Sequence, residues 1–219
     1  KCINTVLLIA DDSASGAATL ATALTAQGLV VTQTAKPSYQ YDGTNPPLTG
    51  FGSVIILAGG PNSTSFSTDM PQAGQKAIVD FVAAGNGLVL TEWASLHVQA
   101  NRWTTLAPLV LLKRTVSFSG QVTYNIDSGF KNHPVWPNAT NSPFTFASTS
   151  NVGTAVLGPG ISRLASSPQA VDAVVIRDLP ETGRIVHVAH AGNFAPNGWT
   201  NTNIQTLMAN AALWSARCK

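Results

Sequence analysis

The run GLVLTEWASLH, residues 87–97, sets a carboxylate beside an indole where an apolar segment ends, with a histidine one turn further on. Leu88, Val89 and Leu90 have the character of a buried strand, and Glu92 is the first charge after them. A carboxylate there has to be paired or wet, because a bare buried charge is too costly. If it faces a cleft, Glu92 suits proton transfer as a general acid. With Asp12 it would supply two carboxylates to one site, the arrangement that glycoside hydrolysis uses. The competing reading is structural: Glu92 accepts backbone N–H bonds or pairs with an arginine such as Arg102, and holds the turn.

Other polar residues fall after apolar runs in the same way. Asp11 and Asp12 follow TVLLIA, Asn62 follows Gly59-Gly60-Pro61, and His190 and Asn193 follow RIVHVA. One aspartate can act as a base, both can hold a cation through hard oxygens, or one can cap the helix that follows. His190 can be an acid/base, a metal ligand or a structural histidine. Asp11, Asp12, Glu92 and His190 together would form a mixed oxygen and nitrogen site for a divalent metal, and no other cofactor is implied. Trp93 and Trp199 can offer ring faces to a ligand held by Asp11, Asn62 and Asn193. His187, three residues before His190, points to the other face of its strand and reads as packing. His97 and His133 are weaker candidates.

Several chemistries have no motif behind them. There is no G-x-S-x-G elbow, no H-E-x-x-H and no Cys/His zinc spacing. Ser13-Ala14-Ser15-Gly16 lacks the spacing and the lysine of a phosphate loop.

These residues need a scaffold, and the elements of one are visible. TVLLIA (5–10), LVVTQT (29–34), SVIILAGG (53–60) and GLVLT (87–91) are short apolar runs. Between them lie helical patterns: one from a Ser15 cap to Gln27 with Gly28 as its stop, another from Asp69-Met70-Pro71-Gln72 to Gly85. Continuous apolar strands alternating with amphipathic helices imply a parallel sheet covered on both faces. Residues 98–170 have little periodicity; TVSFSGQVTYNI (115–126) alternates like exposed antiparallel strand. Pro180-Glu181-Thr182-Gly183 separates two strand runs as a hairpin turn. Asn201 caps a last helix bearing Ile204, Leu207, Met208, Ala211 and Trp214 on one face. With no linker and no repeat, residues 1–219 read as one domain.

Composition narrows the rest. Of the 219 residues, 44% are hydrophobic and 10% charged, enough for a sizeable core. The net charge is +2 without a basic run, which argues against a nucleic-acid surface, and no apolar stretch reaches membrane-span length. Cys2 and Cys218 are the only cysteines. A bridge between them is the simple reading and implies an oxidising compartment, whether secreted, periplasmic or at a cell surface. Lys1 is expected to follow a cleavage site. Asn62-Ser63-Thr64 and Asn138-Ala139-Thr140 are glycosylation sequons, relevant in a eukaryotic secretory pathway.

The order of these motifs resembles the class I glutamine amidotransferase-like fold, and within it the ThuA-like (trehalose utilisation-like) group. The resemblance is carried by VIILAGG, AIVDFVAAGNGLVLTEWAS, NHPVW, and GRIVHVAHAGNF followed by LMANAALWSA. It implies a three-layer, flavodoxin-like α/β domain with a mostly parallel central sheet, closed by a C-terminal hairpin and helix. The departures matter. An amidotransferase resembling this chain would place a nucleophilic cysteine on the turn where Glu92 and Trp93 stand, and a histidine-x-glutamate pair where His190 is followed by Ala191 and Gly192. Glutamine hydrolysis by a thiol is therefore not expected. The expected function is recognition of a glycan or another small polar ligand at the carboxyl edge of the sheet. The alternatives are a glycan-acting hydrolase using Glu92 with an aspartate, or a structural or adhesive module of a larger surface protein.

Overall fold

The computed structural model describes residues 2–11, 15–115, 117–151, 153–169, 171–192 and 195–219. The chain runs β1 (Thr5–Ala10), α1 (Ser15–Ala26), β2 (Val30–Gln33), β3 (Ser53–Leu57), α2 (Thr64–Ser67), α3 (Gln72–Ala83), β4 (Gly87–Thr91) and α4 (Glu92–Gln99). It continues with β5 (Leu112–Lys113), β6 (Phe118–Ile126), β7 (Phe144–Asn151), β8 (Thr154–Ala155), β9 (Ile161–Ser167), β10 (Val171–Arg177), β11 (Ile185–Val188) and α5 (Thr202–Ser215).

One nine-stranded sheet organises the fold, in the order β2-β1-β3-β4-β11-β10-β9-β6-β7. From β2 to β11 neighbouring strands are parallel. From β11 to β7 they are antiparallel, starting at the hairpin that the Pro180–Gly183 turn makes between β10 and β11. Strands β5 and β8 pair separately.

Side-chain alternation explains why the central strands are apolar throughout. Val6, Leu8, Ile55, Leu57, Val89 and Val186 face a core completed by α1 and α5. Leu7, Ile9, Val54, Ile56, Leu88 and Leu90 face a second core with α3 and α4. A strand covered on both sides has no position that favours a polar residue. The edge strand β2 differs: Val30 is 56% exposed.

Local signals account for the helix boundaries. Gly28 and Gly85 take positive φ (88° and 97°) where α1 and α3 stop, a geometry that costs glycine nothing. The Asn201 carboxamide oxygen accepts from the Asn203 and Ile204 amides, so the cap on α5 is in place. Asp69 does not cap α3. That helix begins at Gln72 after Pro71 without a side-chain cap, and Asp69 binds Arg102 Nε at 2.6 Å instead. The Ser15 cap involves side-chain positions outside the described residues.

Cys2 and Cys218 form a disulfide with their Cα atoms 4.7 Å apart, as α5 returns the C-terminus to the start of β1. Among the described residues no helix is long and apolar enough to cross a membrane.

Candidate functional site

The parallel strands end in a row. The Asp11 amide donates to Leu57 O at 3.2 Å, joining the end of β1 to the end of β3, where Gly59 and Gly60 follow. Glu92 opens α4 directly from β4, and its amide donates to His190 O at 3.3 Å beside the end of β11. The chain from β1 turns outward to β2 and returns across to β3, so the strand order reverses between β1 and β3. Ligands in open α/β sheets bind at such a reversal, outside the carboxyl ends of the strands.

Glu92 does not face a cleft. It is fully buried, and Oε1 pairs with Arg114 Nη1. The Arg114 guanidinium also lies 5.7 Å from the Trp93 ring centroid, and the Arg114 side chain is 16% exposed. The arginine partner is thus Arg114 rather than Arg102, because Asp69 and Phe66 O already hold Arg102. A carboxylate in the first turn of α4 also meets the positive end of the helix dipole. Enclosed and held by a guanidinium, Glu92 is placed as the structural reading expects, at the turn, and does not face a cleft as the acid reading expects. Trp93 is likewise buried, and its ring occupies the space a side chain at Gly60 would need, 2.9 Å from the ideal Cβ.

The buried histidines are all locked by hydrogen bonds that fix their tautomers. His190 Nε2–H donates to Gly198 O at 2.7 Å, while Nδ1 accepts from Ser148 Oγ at 3.0 Å and from the Thr149 amide at 3.4 Å. His187 Nε2–H donates to Thr91 O at 3.1 Å, and Nδ1 accepts from the Leu111 and Leu112 amides, each at 3.2 Å. His97 Nε2–H donates to Gly59 O at 3.1 Å, and its ring stacks on Trp103 at 4.4 Å. Burial favours the neutral ring, pushing the pKa of His190 and His97 down to about 4 and that of His187 to about 3. His190 therefore has no lone pair left for a metal. Among the described residues no group of three His, Cys, Asp or Glu side chains could hold a metal ion. Of the mixed site expected from Asp11, Asp12, Glu92 and His190, Asp12 lies outside the described residues; among the described ones Glu92 pairs with Arg114, and His190 is held by Gly198 O, Ser148 Oγ and the Thr149 amide.

Asp11 does stand where a ligand can be met. It is 4% exposed and lines a cavity of about 340 Å³ with Gln33, Thr34, Lys36, Tyr39 and Gln40, beyond the ends of β1 and β2. On its other side, Asp11 Oδ2 and the hydroxyls of Ser63 and Ser65 converge where a methyl group on Gly59 would lie. Those two hydroxyls are 2.8 Å apart, and Ser63 Oγ donates to Gly60 O at 2.7 Å. Asn62 is exposed in the turn before them. Trp199 is buried, packed edge-on against His190 at 4.8 Å between ring centroids, so it offers no open face. Asp12 and Asn193 lie outside the described residues. The sequence reading missed Gln33, Thr34, Lys36, Tyr39, Gln40, Ser63, Ser65 and Arg114. For the first five, the available signal was their place at or just past the carboxyl end of β2.

No protein-family model matches the sequence, and no curated protein matches it. Solved structures do. A ThuA-like protein from Bacteroides uniformis superposes with a TM-score of 0.67 at 14% identity, covering 98% of this chain and 92% of that one. A ThuA-like protein from Parabacteroides merdae gives 0.67 at 18% identity, covering 100% and 91%. A glutamine amidotransferase gives 0.57 at 14% identity, covering 94% and 98%. At these identities the likeness speaks for the fold, and together with the sheet order it leads to one conclusion: this chain has the class I glutamine amidotransferase-like fold in its ThuA-like form, with the Glu92–Arg114 pair at the turn after β4.

Proposed function

We propose that this chain is an extracellular recognition domain for a polyhydroxylated ligand such as a glycan, bound beyond the carboxyl ends of β1 and β2. The observation that carries this reading is the cavity of about 340 Å³ that presents Asp11, Gln33, Thr34, Lys36, Tyr39 and Gln40 together. A carboxylate accepts from two adjacent hydroxyls, carboxamides both donate and accept, and a half-buried tyrosine ring offers a face to a sugar. The disulfide supports an oxidising compartment. The recognition reading is favoured over the hydrolase alternative because Glu92 is enclosed and pairs with Arg114 instead of lining this cavity.

Calorimetric titration with a panel of mono- and oligosaccharides tests the reading. A binding sugar is expected, and Asp11→Asn should weaken it at least about tenfold, the scale of one charge-assisted hydrogen bond. The exposed Gln40→Ala should weaken it without altering the melting temperature. A panel with no binder, or a binder indifferent to both substitutions, would defeat the proposal.

A further inference from the structure

A second cavity, of about 450 Å³, shares no lining residue with the first. Its walls are mainly apolar, Val98 of α4, Ala107, Pro108 and Val110 of the segment that follows, Leu112 of β5 and Val156 just after β8, with the exposed Gln99 at the end of α4 the polar exception besides Ser95. The backbone of this wall is satisfied from elsewhere. His187 Nδ1 takes the Leu111 and Leu112 amides, Ser95 Oγ donates to Leu112 O at 2.8 Å, and the Val156 amide donates to Leu111 O at 2.8 Å. A wall whose polar groups are already paired presents hydrocarbon to the cavity and has little with which to hold water.

The rim has the opposite character. Lys113 is exposed and forms no ion pair among the described residues. Arg114 also lines the cavity, but its charge is met by Glu92, so the rim's positive charge rests on Lys113; no acidic side chain lines the cavity. Next to Val156, Leu157 is 94% exposed, a large apolar group held in water beside an apolar hollow. Hydrocarbon walls with a cationic rim complement a molecule that is apolar along its length and anionic at one end. The volume lies within the range of cavities that enclose small organic ligands, roughly 300–1,000 Å³.

We propose that this cavity binds a single-chain carboxylate amphiphile of the medium-chain fatty-acid class. The hydrocarbon lies against Val98, Val110, Leu112 and Val156, and the carboxylate lies at Lys113. The site is independent of the polar cavity of Asp11, so either assignment can fail without the other.

The test is titration of the full, disulfide-intact chain with octanoate, decanoate and dodecanoate below their micelle concentrations, and with decan-1-ol as a neutral control. Affinity is expected to rise about fourfold per added methylene until the cavity is full, the factor that corresponds to burying one CH₂. Decanoate should bind about two- to fivefold more tightly than decan-1-ol, the scale of an ion pair to an exposed ammonium. Lys113→Glu should remove that preference and leave the alcohol unaffected. Ala107→Trp should block both ligands; if that variant fails to fold, the Lys113→Glu comparison still decides. Absence of binding, equal affinity for acid and alcohol, or a Lys113→Glu variant that keeps its preference would overturn the proposal.

Discussion

Replacing Glu92 by Gln separates an anchoring role from a catalytic one. The glutamine preserves volume and can still accept from Arg114, so no cavity opens. What disappears is the negative charge opposite a guanidinium and at the first turn of α4. Removing one member of a buried ion pair typically costs about 3–5 kcal/mol, mainly because the other charge is stranded. Arg114 is not wholly sealed, with 16% of its side chain exposed and the Trp93 ring nearby, so the lower end of that range applies. Loss of the favourable helix-terminus interaction lies within the same figure. About 3 kcal/mol in a domain of this length corresponds to a fall in melting temperature of about 6–12 °C. Arg114→Met should cost more, since it strands a carboxylate with no exposure at all. The double variant should be more stable than the sum of the two losses, because neither charge is then stranded. Circular-dichroism melting of the four proteins gives the cycle, and sugar titration at 20 °C should show all folded variants binding alike. A Glu92→Gln protein that melts within about 1 °C of the parent would refute the anchoring argument, and lost binding or activity at unchanged stability would restore Glu92 to the site.

Three further outcomes follow from features already described. His97, His187 and His190 are neutral when folded, with pKa values of about 4, 3 and 4, yet titrate near 6.5 when unfolded. The unfolded chain therefore takes up protons first, so stability should fall as pH drops from about 6.5 towards about 4, at up to about 4 kcal/mol per pH unit, and urea midpoints that stay flat between pH 7 and pH 5 would contradict this. Reducing the Cys2–Cys218 bridge frees a loop spanning a sequence separation of 216, for which chain entropy gives a destabilisation of up to roughly 5 kcal/mol, read as a melting temperature lower by about 10–20 °C; an unchanged transition would mean the unfolded state is already compact. Gly59→Ala should cost sugar affinity by displacing Asp11, Ser63 and Ser65, and a variant that binds normally would show that the Asp11 carboxylate does not need its present position.

The parallel half of the fold was legible because burial on both faces leaves an unmistakable apolar run, as in Leu7–Ile9 and Leu88–Leu90. Asn201, Gly28 and the Pro180–Gly183 turn marked boundaries through local backbone chemistry that needs no tertiary context. The antiparallel half was legible in part: residues 115–126 alternate like exposed antiparallel strand and contain β6, and Pro180–Gly183 marks the β10–β11 hairpin, whereas β7 and β9 leave no clear pattern. In β6 the residues Ser119, Gly120 and Gln121 all face solvent, and register shifts interrupt its pairing with β7, so its inner end alternates and its outer end does not. At the site, the carboxyl edge was legible and the roles of its side chains were not. Glu92 finds its partner 22 residues away in a segment without periodicity, and Arg102 is drawn off by Asp69, a competition no local pattern encodes. The aromatic residues Trp93 and Trp199 look the same in sequence whether they line a groove or fill a core, and here they fill it.

The bond between Cys2 and Cys218 also determines how this molecule would carry load. Tension applied at the two ends of the chain would pass from one backbone to the other across a single covalent link, without reaching the sheet. The β1–β3 and β3–β4 ladders, which would otherwise share the load among their hydrogen bonds, would feel no pull. Under tension the oxidised domain behaves as a fixed short spacer that neither lengthens nor loses its cavities, and its reduced form becomes extensible by nearly the whole contour of the chain. A force ramp on single molecules flanked by inert handles would show the difference as an unfolding step that exists only after reduction.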